Sequence, residues 1–297
     1  MPPPRSERYR QYARAIVRSL RRGDLFPAAG RVPPRDAPGG TTRTIERFGR
    51  SELDHLETSV HRVALPGLSR PVRILHVTDV HLREPDAWSE RLAARVAAVP
   101  CDLVLITGDV VTRGWTVAAV DQLLGALPAA PLGRWAVIGN WERWSGATPE
   151  TWAPLLARHG VRLLLDESVE VDGLTLVGTD DALSGTPDLA RAFRDVSTQR
   201  PCVVLTHSPA LFTSIRPYLP SGGLVLAGHT HGGQVRLPVV GPVFLPRQSG
   251  AYPWGWYGEA DTWLFVGRGL GWSVAPFRWR CPPELARIDV GATLPMT

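Results

Sequence analysis

The chain has 297 residues, 44% of them hydrophobic and 21% charged, which is enough to bury the core of one large α/β domain or of two small ones. No stretch approaches the roughly 20 uninterrupted apolar residues of a membrane-spanning helix. The first residues alternate charge and apolarity instead of forming a signal-peptide core, so the expectation is a chain that neither spans a membrane nor carries a visible export signal. Cys101, Cys202 and Cys281 are far apart with no CxxC, which argues against a disulfide framework or a thiolate zinc site and for incidental thiols in a reducing compartment.

The formal net charge of +5 is unevenly placed. Residues 1–50 carry twelve arginines against four acids, which leaves the rest of the chain mildly acidic. Within that segment, residues 5–22 read as an amphipathic helix. Tyr9, Tyr12, Ala13, Ile16, Val17 and Leu20 fall on one face and most arginines point elsewhere. Residues 27–44 are rich in Pro, Gly and Arg and read as a linker, so the main domain is expected over 45–297 after an arm of residues 1–44. A basic arm on an acidic body suits an anionic membrane surface as partner, with plain packing of the helix onto the domain as the other reading.

Further along, short β-rich runs each end in a polar residue. They are 72–79, 102–109, 134–140, 174–180, 202–207 and 223–229, with helix-like stretches at 88–98, 115–127 and 187–195 between several of them. Apolar strands alternating with helices indicate an α/β fold with sheets buried on both faces, and ligands of such folds collect at the carboxyl ends of the strands. The last fifty residues, rich in Trp, Gly and Pro, read as strands and loops. Their aromatic side chains, from Trp254 to Trp279, are expected in core and loop packing or, alternatively, as an apolar way in for an acylated substrate.

The strand ends supply Asp79, His81, Asp109, Asn140, His207, His229 and His231. All seven are oxygen or imidazole donors, a set suited to borderline or moderately hard divalent ions such as Mn, Fe, Zn or Ni. Asp79 and His81 are two apart, as are His229 and His231, so each pair would point the same way on a strand. Gly108, Gly139 and Gly228 precede ligands and permit close backbone approach or an unusual turn. His55, His61, His76 and His159 are expected to be ordinary core or surface histidines.

The ordered blocks D-x-H, GD, GN, H and GHTH, spanning residues 79–231, resemble the signature of the calcineurin-like metallophosphoesterase superfamily. The contexts HVTDVHL, LVLITGDVV, VIGNWE, THSP and AGHTHGGQ also match. The GGQ and the tail GRGLGWSVAPFRWRCPPELARIDV resemble the branch of bacterial membrane-associated phosphodiesterases and UDP-2,3-diacylglucosamine hydrolases. The resemblance implies a four-layer αββα sandwich of two mixed sheets and a centre of two divalent ions that activates a water and clamps phosphate oxygens. It implies that Asp79, His81 and His231 hold one ion, that Asn140, His207 and His229 hold the other, and that Asp109 bridges them. Asp109, Asn140 and His207 are then the candidate catalytic residues.

One position departs from the family pattern: Trp141 stands where His usually follows the Asn. That His is associated with proton delivery to the leaving group, so the source of the proton is open. A good leaving group needing none, a water, or a reoriented Glu142 are the candidates. The expected reaction is hydrolysis of a phosphoester or pyrophosphate bond, with a lipid- or nucleotide-linked substrate at the inner membrane surface preferred and a cytoplasmic, peripheral location implied. The alternatives are a soluble phosphodiesterase for cyclic nucleotides or other small phosphates, and a metal-binding protein with little catalysis. Nucleic acid is not expected as a partner, because the body is mildly acidic.

Overall fold

The computed structural model describes residues 55–273 and 276–292. The expected helix over 5–22, the linker over 27–44 and the domain start at 45 lie outside these residues. Fourteen strands and six α-helices follow in chain order. The strands are β1 (Glu57–Ala64), β2 (Val72–Val77), β3 (Leu103–Ile106), β4 (Arg134–Ala136), β5 (Val161–Leu163), β6 (Glu167–Val171), β7 (Leu174–Gly178), β8 (Cys202–Leu205), β9 (Leu224–Ala227), β10 (Arg236–Leu237), β11 (Gly241–Pro242), β12 (Gly255–Glu259), β13 (Thr262–Val266) and β14 (Glu284–Gly291). The helices are α1 (Ala87–Ala97), α2 (Val117–Gly125), α3 (Asn140–Trp144), α4 (Pro149–Ala157), α5 (Leu189–Ala192) and α6 (Phe212–Ile215).

Two six-stranded sheets are formed, ordered β1-β14-β2-β3-β4-β5 and β12-β13-β9-β8-β7-β6, with β10 and β11 as a separate two-stranded ribbon. Both large sheets are mixed. β2, β3, β4 and β5 run parallel, as do β7, β8, β9 and β13, while β14 pairs antiparallel with β2 and β6 pairs antiparallel with β7. β3, β8 and β9 are apolar at every position because both faces are covered. Leu103 and Leu105 of β3 face Val203 and Leu205 of β8 and Leu224 and Leu226 of β9 in the layer between the sheets. Val104 and Ile106 point the other way, onto Leu92 and Val96 of α1 and Val120, Leu123 and Leu124 of α2. On the far side, Val204 and Val225 pack under Phe193, Phe212 and Ile215. The arrangement is the expected four-layer αββα sandwich.

Local chemistry fixes the helix starts. Asp86 caps α1, accepting from the Ser89 amide at 2.7 Å while the Ser89 hydroxyl accepts from the Asp86 amide. Thr116 caps α2, and Pro149 opens α4 at a position where a missing N–H is harmless. His61 and His76 are buried between the sheets against Phe265, and His159 is held by Asp121 at 2.7 Å, as ordinary structural histidines. All three cysteines are free and buried.

The strands end two to four residues earlier than their apolar runs suggest, and this corrects the expected strand geometry of the paired ligands. β2 stops at Val77 and β9 at Ala227, so neither Asp79 and His81 nor His229 and His231 lie on a strand. Asp79 (φ 52°), His81 (φ 57°), Asp109 (φ 54°), His229 (φ 73°) and His231 (φ 51°) are all left-handed. Such a backbone costs roughly 1–3 kcal/mol per non-glycine residue and persists only when its surroundings over-determine it. The surroundings here are hydrogen bonds between adjacent strand-end loops. The Asp79 amide donates to the Gly108 carbonyl at 3.1 Å and the His81 amide to the Asp109 carbonyl at 3.0 Å.

Candidate metal centre

The site forms where the carboxyl ends of the two sheets meet. The first sheet delivers Asp79 and His81 after β2, Asp109 after β3 and Asn140 after β4, at the first position of α3. The second delivers His207 after β8, and His229 and His231 after β9. All seven side chains are buried. Close approach of the loops requires the glycines. A Cβ on Gly139 would collide with the Asp109 carboxylate, and one on Gly228 with Thr78 and Asp79. Gly108, at φ 87°, leaves no room for a Cβ against the Gly139 backbone.

Two clusters result, each able to hold a metal ion: Asp79 with His81 and His231, and Asp109 with His207 and His229. In the first, the Nε2 atoms of His81 and His231 are 2.9 Å apart, and His231 Nε2 lies 3.3 Å from Asp79 Oδ1. In the second, His207 Nε2 faces His229 Nδ1 at 3.1 Å, Asn140 Oδ1 at 3.1 Å and Asp109 Oδ2 at 3.2 Å. Asp109 stands between the clusters, because its Oδ2 is also 3.8 Å from His81 Nε2. Its Oδ1 is fixed separately by the Trp141 amide at 2.7 Å.

The hydrogen bonds behind the second cluster test whether a cation fits. His207 Nδ1 donates to the Thr107 carbonyl at 2.8 Å, and His229 Nε2 donates to the Arg247 carbonyl at 2.6 Å. A neutral imidazole has a single N–H. With that proton used behind, His207 Nε2 and His229 Nδ1 turn lone pairs toward each other and toward two further oxygen acceptors. Four acceptors around one point repel unless a positive charge lies among them. The electrostatic surroundings of His207 agree. Burial disfavours charge on His207, yet the Asp109, Asp79 and Asp181 carboxylates outweigh it and hold His207 well above the usual imidazole range.

The other ligands are tuned to the same end. Burial, reinforced by the positive charges nearby, keeps His81 and His231 well below the usual range and lowers His229 to about 4, so these imidazoles are uncharged near neutrality. Burial raises Asp79 and lifts Asp109 to about 6, and a cation placed among them would favour their ionised forms. Thr78 and the His229 amide both donate to the Asp79 carboxylate, at 2.8 Å each, and orient it.

Glu142 sits differently from its expected part as a reoriented acid. It is fully buried, and its two oxygens accept from the amides of Gly139, Asp109, Val110 and Val111 at 2.9, 2.9, 2.6 and 3.3 Å. Burial, with the Asp109 charge adding to it, pushes its carboxyl up to about 7. Its geometry makes it a brace that holds the Gly139 and Asp109 loops together, turned away from the cleft. Arg278 is a contributor that residue pattern alone did not reveal. It is buried, its Nη2 lies 3.2 Å from His231 Nδ1, and its guanidinium donates to the carbonyls of Arg268, Gly271 and Cys281. No strand-end motif marks it.

Above the clusters lies a cleft of about 220 Å³, reached by Asp109, Asn140, His229 and His231 at its base. Its walls are largely apolar: Trp141, Val235, Val243, Phe244 and Pro246. Trp141, in the place of the expected His, packs its ring edge-on against His81 at 5.6 Å and against Trp144 at 5.6 Å.

Two buried histidine–carboxylate clusters at the junction of two sheets, with the Asp109 carboxylate standing between them, suit a metal-dependent hydrolase. Residues 72–233, more than half of the chain, match the calcineurin-like phosphoesterase family, and the chain belongs to that family. It is 30% identical over 254 residues to the uncharacterized metallophosphoesterase YkuE of Bacillus subtilis, covering 80% of this chain and 86% of that one. It is 28% identical to the phosphodiesterase YaeI of Escherichia coli, over 86% of this chain and 96% of the relative. It is 24% identical to the UDP-2,3-diacylglucosamine pyrophosphatase LpxG of Chlamydia trachomatis, over 78% and 90% respectively. The chain is a metallophosphoesterase. Among the described residues, no helix is long and apolar enough to cross a membrane.

Proposed function

We propose that this protein hydrolyses a phosphodiester or pyrophosphate bond in a lipid- or nucleotide-linked substrate, using two divalent ions. Asp79, His81 and His231 would hold one ion and Asn140, His207 and His229 the other, with Asp109 standing between them as a ligand available to both. The observation that carries this reading is the convergence of lone pairs from His207, His229, Asn140 and Asp109 on one point beneath an apolar-walled cleft. Ions bound there supply Lewis acidity for phosphate oxygens and for the attacking water. The chain's own residues do the rest. The carbonyls of Thr107 and Arg247 fix the ligand tautomers of His207 and His229, and Glu142 holds the Asp109 loop against the Asn140 helix. Asn140, a neutral amide at the base of the cleft, completes the donor set without adding negative charge to repel a phosphate. The Trp141 indole, with Phe244 and Val243, excludes water from one side and suits an apolar or planar substituent of the substrate.

The apolar walls, the basic segment of residues 1–50 and the similarity to the UDP-2,3-diacylglucosamine pyrophosphatase of Chlamydia trachomatis support a substrate with a lipid or nucleotide portion at an anionic membrane surface. The test is turnover of bis-p-nitrophenyl phosphate by metal-stripped protein reloaded in turn with Mn, Fe, Zn and Ni, with metal content measured in parallel. Turnover that depends on metal and is lost in Asp109→Asn supports the reading. Two bound ions without turnover of this ester or of a UDP-linked diacylglucosamine favour the second reading, a metal-binding protein with little catalysis. The specific observation behind that second reading is Trp141, which has no proton to deliver to a leaving oxygen by general acid catalysis.

A further inference from the structure

Seven large hydrophobic side chains are exposed among the described residues, and five of them gather in one place: Leu237, Val239, Val240, Phe277 and Trp279. The first three lie at the tip of the ribbon formed by β10 and β11. The other two lie on the segment tied to its base, where the Arg236 amide donates to the Trp279 carbonyl and the Trp279 amide to the Gln234 carbonyl, each at 3.0 Å. Val239 is fully exposed, and its φ is 67°. A β-branched residue is strained in that region, and a turn that only reversed the chain would take Gly or Asn there. An apolar side chain is therefore kept in solvent at a position that disfavours it twice.

The ribbon is continuous with the cleft. Val235 and Val243, at its inner end, are joined by a 2.9 Å backbone hydrogen bond and line the cleft wall, while its outer end carries the apolar tip. The segments that carry the patch have charge of one sign. Residues 228–258 and 262–283 contain no Asp or Glu but five arginines, of which Arg247 and Arg280 are exposed beside the ribbon and at Trp279. Arg247 also accepts the His229 hydrogen bond through its carbonyl, so it stands at the rim of the metal centre.

We propose that the β10–β11 ribbon and the Phe277–Trp279 segment form a bilayer-contacting surface that seats the mouth of the cleft on an anionic phospholipid membrane. The apolar tip enters the headgroup–acyl boundary, Trp279 suits the interface, and Arg247 and Arg280 meet lipid phosphates. The proposal rests on the reading of the cleft as a phosphoesterase site. Its function there is to let a lipid-linked phosphate reach the site without leaving the bilayer surface.

The test uses the full chain with Val239→Cys, labelled with nitrobenzoxadiazole. The three native cysteines are buried, so the label goes to the tip. Vesicles of phosphatidylglycerol should shift the emission to the blue and raise it several-fold, with a much smaller change on phosphatidylcholine. In a second arm, Val239→Asp with Val240→Asp should lower partitioning onto phosphatidylglycerol vesicles about tenfold or more, while turnover of bis-p-nitrophenyl phosphate in solution stays within about twofold. A silent label on protein that still pellets with vesicles overturns the proposal, because another segment then does the binding. So does a patch that holds two copies of the chain together, seen as a dimer that the double Asp variant splits without any vesicle binding. Loss of metal-dependent turnover in the unmodified chain would count against the hydrolase reading instead, and would leave the insertion result standing.

Discussion

The two metal clusters use the same kinds of side chain but are backed differently. In the Asp109 cluster, each imidazole donates to a main-chain carbonyl, and Glu142 ties the two loops that carry Asp109 and Asn140. In the Asp79 cluster, His81 Nδ1 is buried with no hydrogen-bond partner among the described residues. His231 Nδ1 faces a donor, the Arg278 guanidinium, whose own proton affinity burial lowers to about 10. A carbonyl behind an imidazole raises its basicity toward a metal, whereas a cation behind it lowers it. The geometry of one cluster is therefore preset, and that of the other is electrostatically opposed. The expectation is one tightly held ion and one that exchanges.

The largest effect that would break this comparison comes from the residue that both clusters share. Asp109→Asn should reduce turnover by about three orders of magnitude and lower the content of both ions. A variant that loses only one ion would show that the clusters are independent. Next in size is the difference between the clusters themselves. During titration with a chelator, followed by metal analysis, one ion per chain should leave at a chelator concentration about ten- to a hundredfold below that needed for the other. His81→Ala should abolish the weaker phase alone, and His229→Ala the tighter one. Simultaneous release would end the asymmetry.

Glu142→Gln sharpens the comparison from the protein side. The amide keeps one acceptor oxygen and turns an NH₂ group toward main-chain N–H donors, so unfolding should ease by about 1–3 kcal/mol. Ion retention should fall first at the Asp109 cluster. Thermal melts with and without metal would read both effects. Smallest is Trp141→His, beside His81. It should raise turnover several-fold on esters with poor leaving groups and leave p-nitrophenyl esters unchanged, as expected if it supplies a missing general acid. An equal gain on both would point to widened access instead of proton delivery.

Much of the fold and most of the site residues were legible in the sequence, for a physical reason. Strands buried on both faces read as unbroken apolar runs, so LVLI, CVVL and LVLA stand out, and VRILHV is broken only by Arg73 and His76. The polar residue that ends each run marks the carboxyl edge where ligands gather. The same rule overreached by a few residues, because an apolar-to-polar boundary marks the end of burial and not the end of pairing. Hence Asp79 and His81 were placed on a strand, where the structure has a left-handed loop. Arg278 and the brace made by Glu142 were out of reach. The first acts across 47 residues of sequence on His231, and the second depends on four amides that face one carboxylate only after folding. The exposed ribbon tip was hidden for another reason: LPVVGPVF has the composition of a core segment, and only the structure shows it in solvent.

Strand β14 lies between β1 and β2, parallel to the first and antiparallel to the second, although it is synthesised after every other described strand. The first sheet therefore has a slot in its interior that only the last strand fills, whereas all six strands of the second precede it in the chain. Arg278 and the Gly267–Gly271 loop, which press on His231 and Asp79, lead directly into that strand. The Asp109 cluster draws on strands and loops made earlier, while the Asp79 cluster is also braced by the segment that closes the sheet.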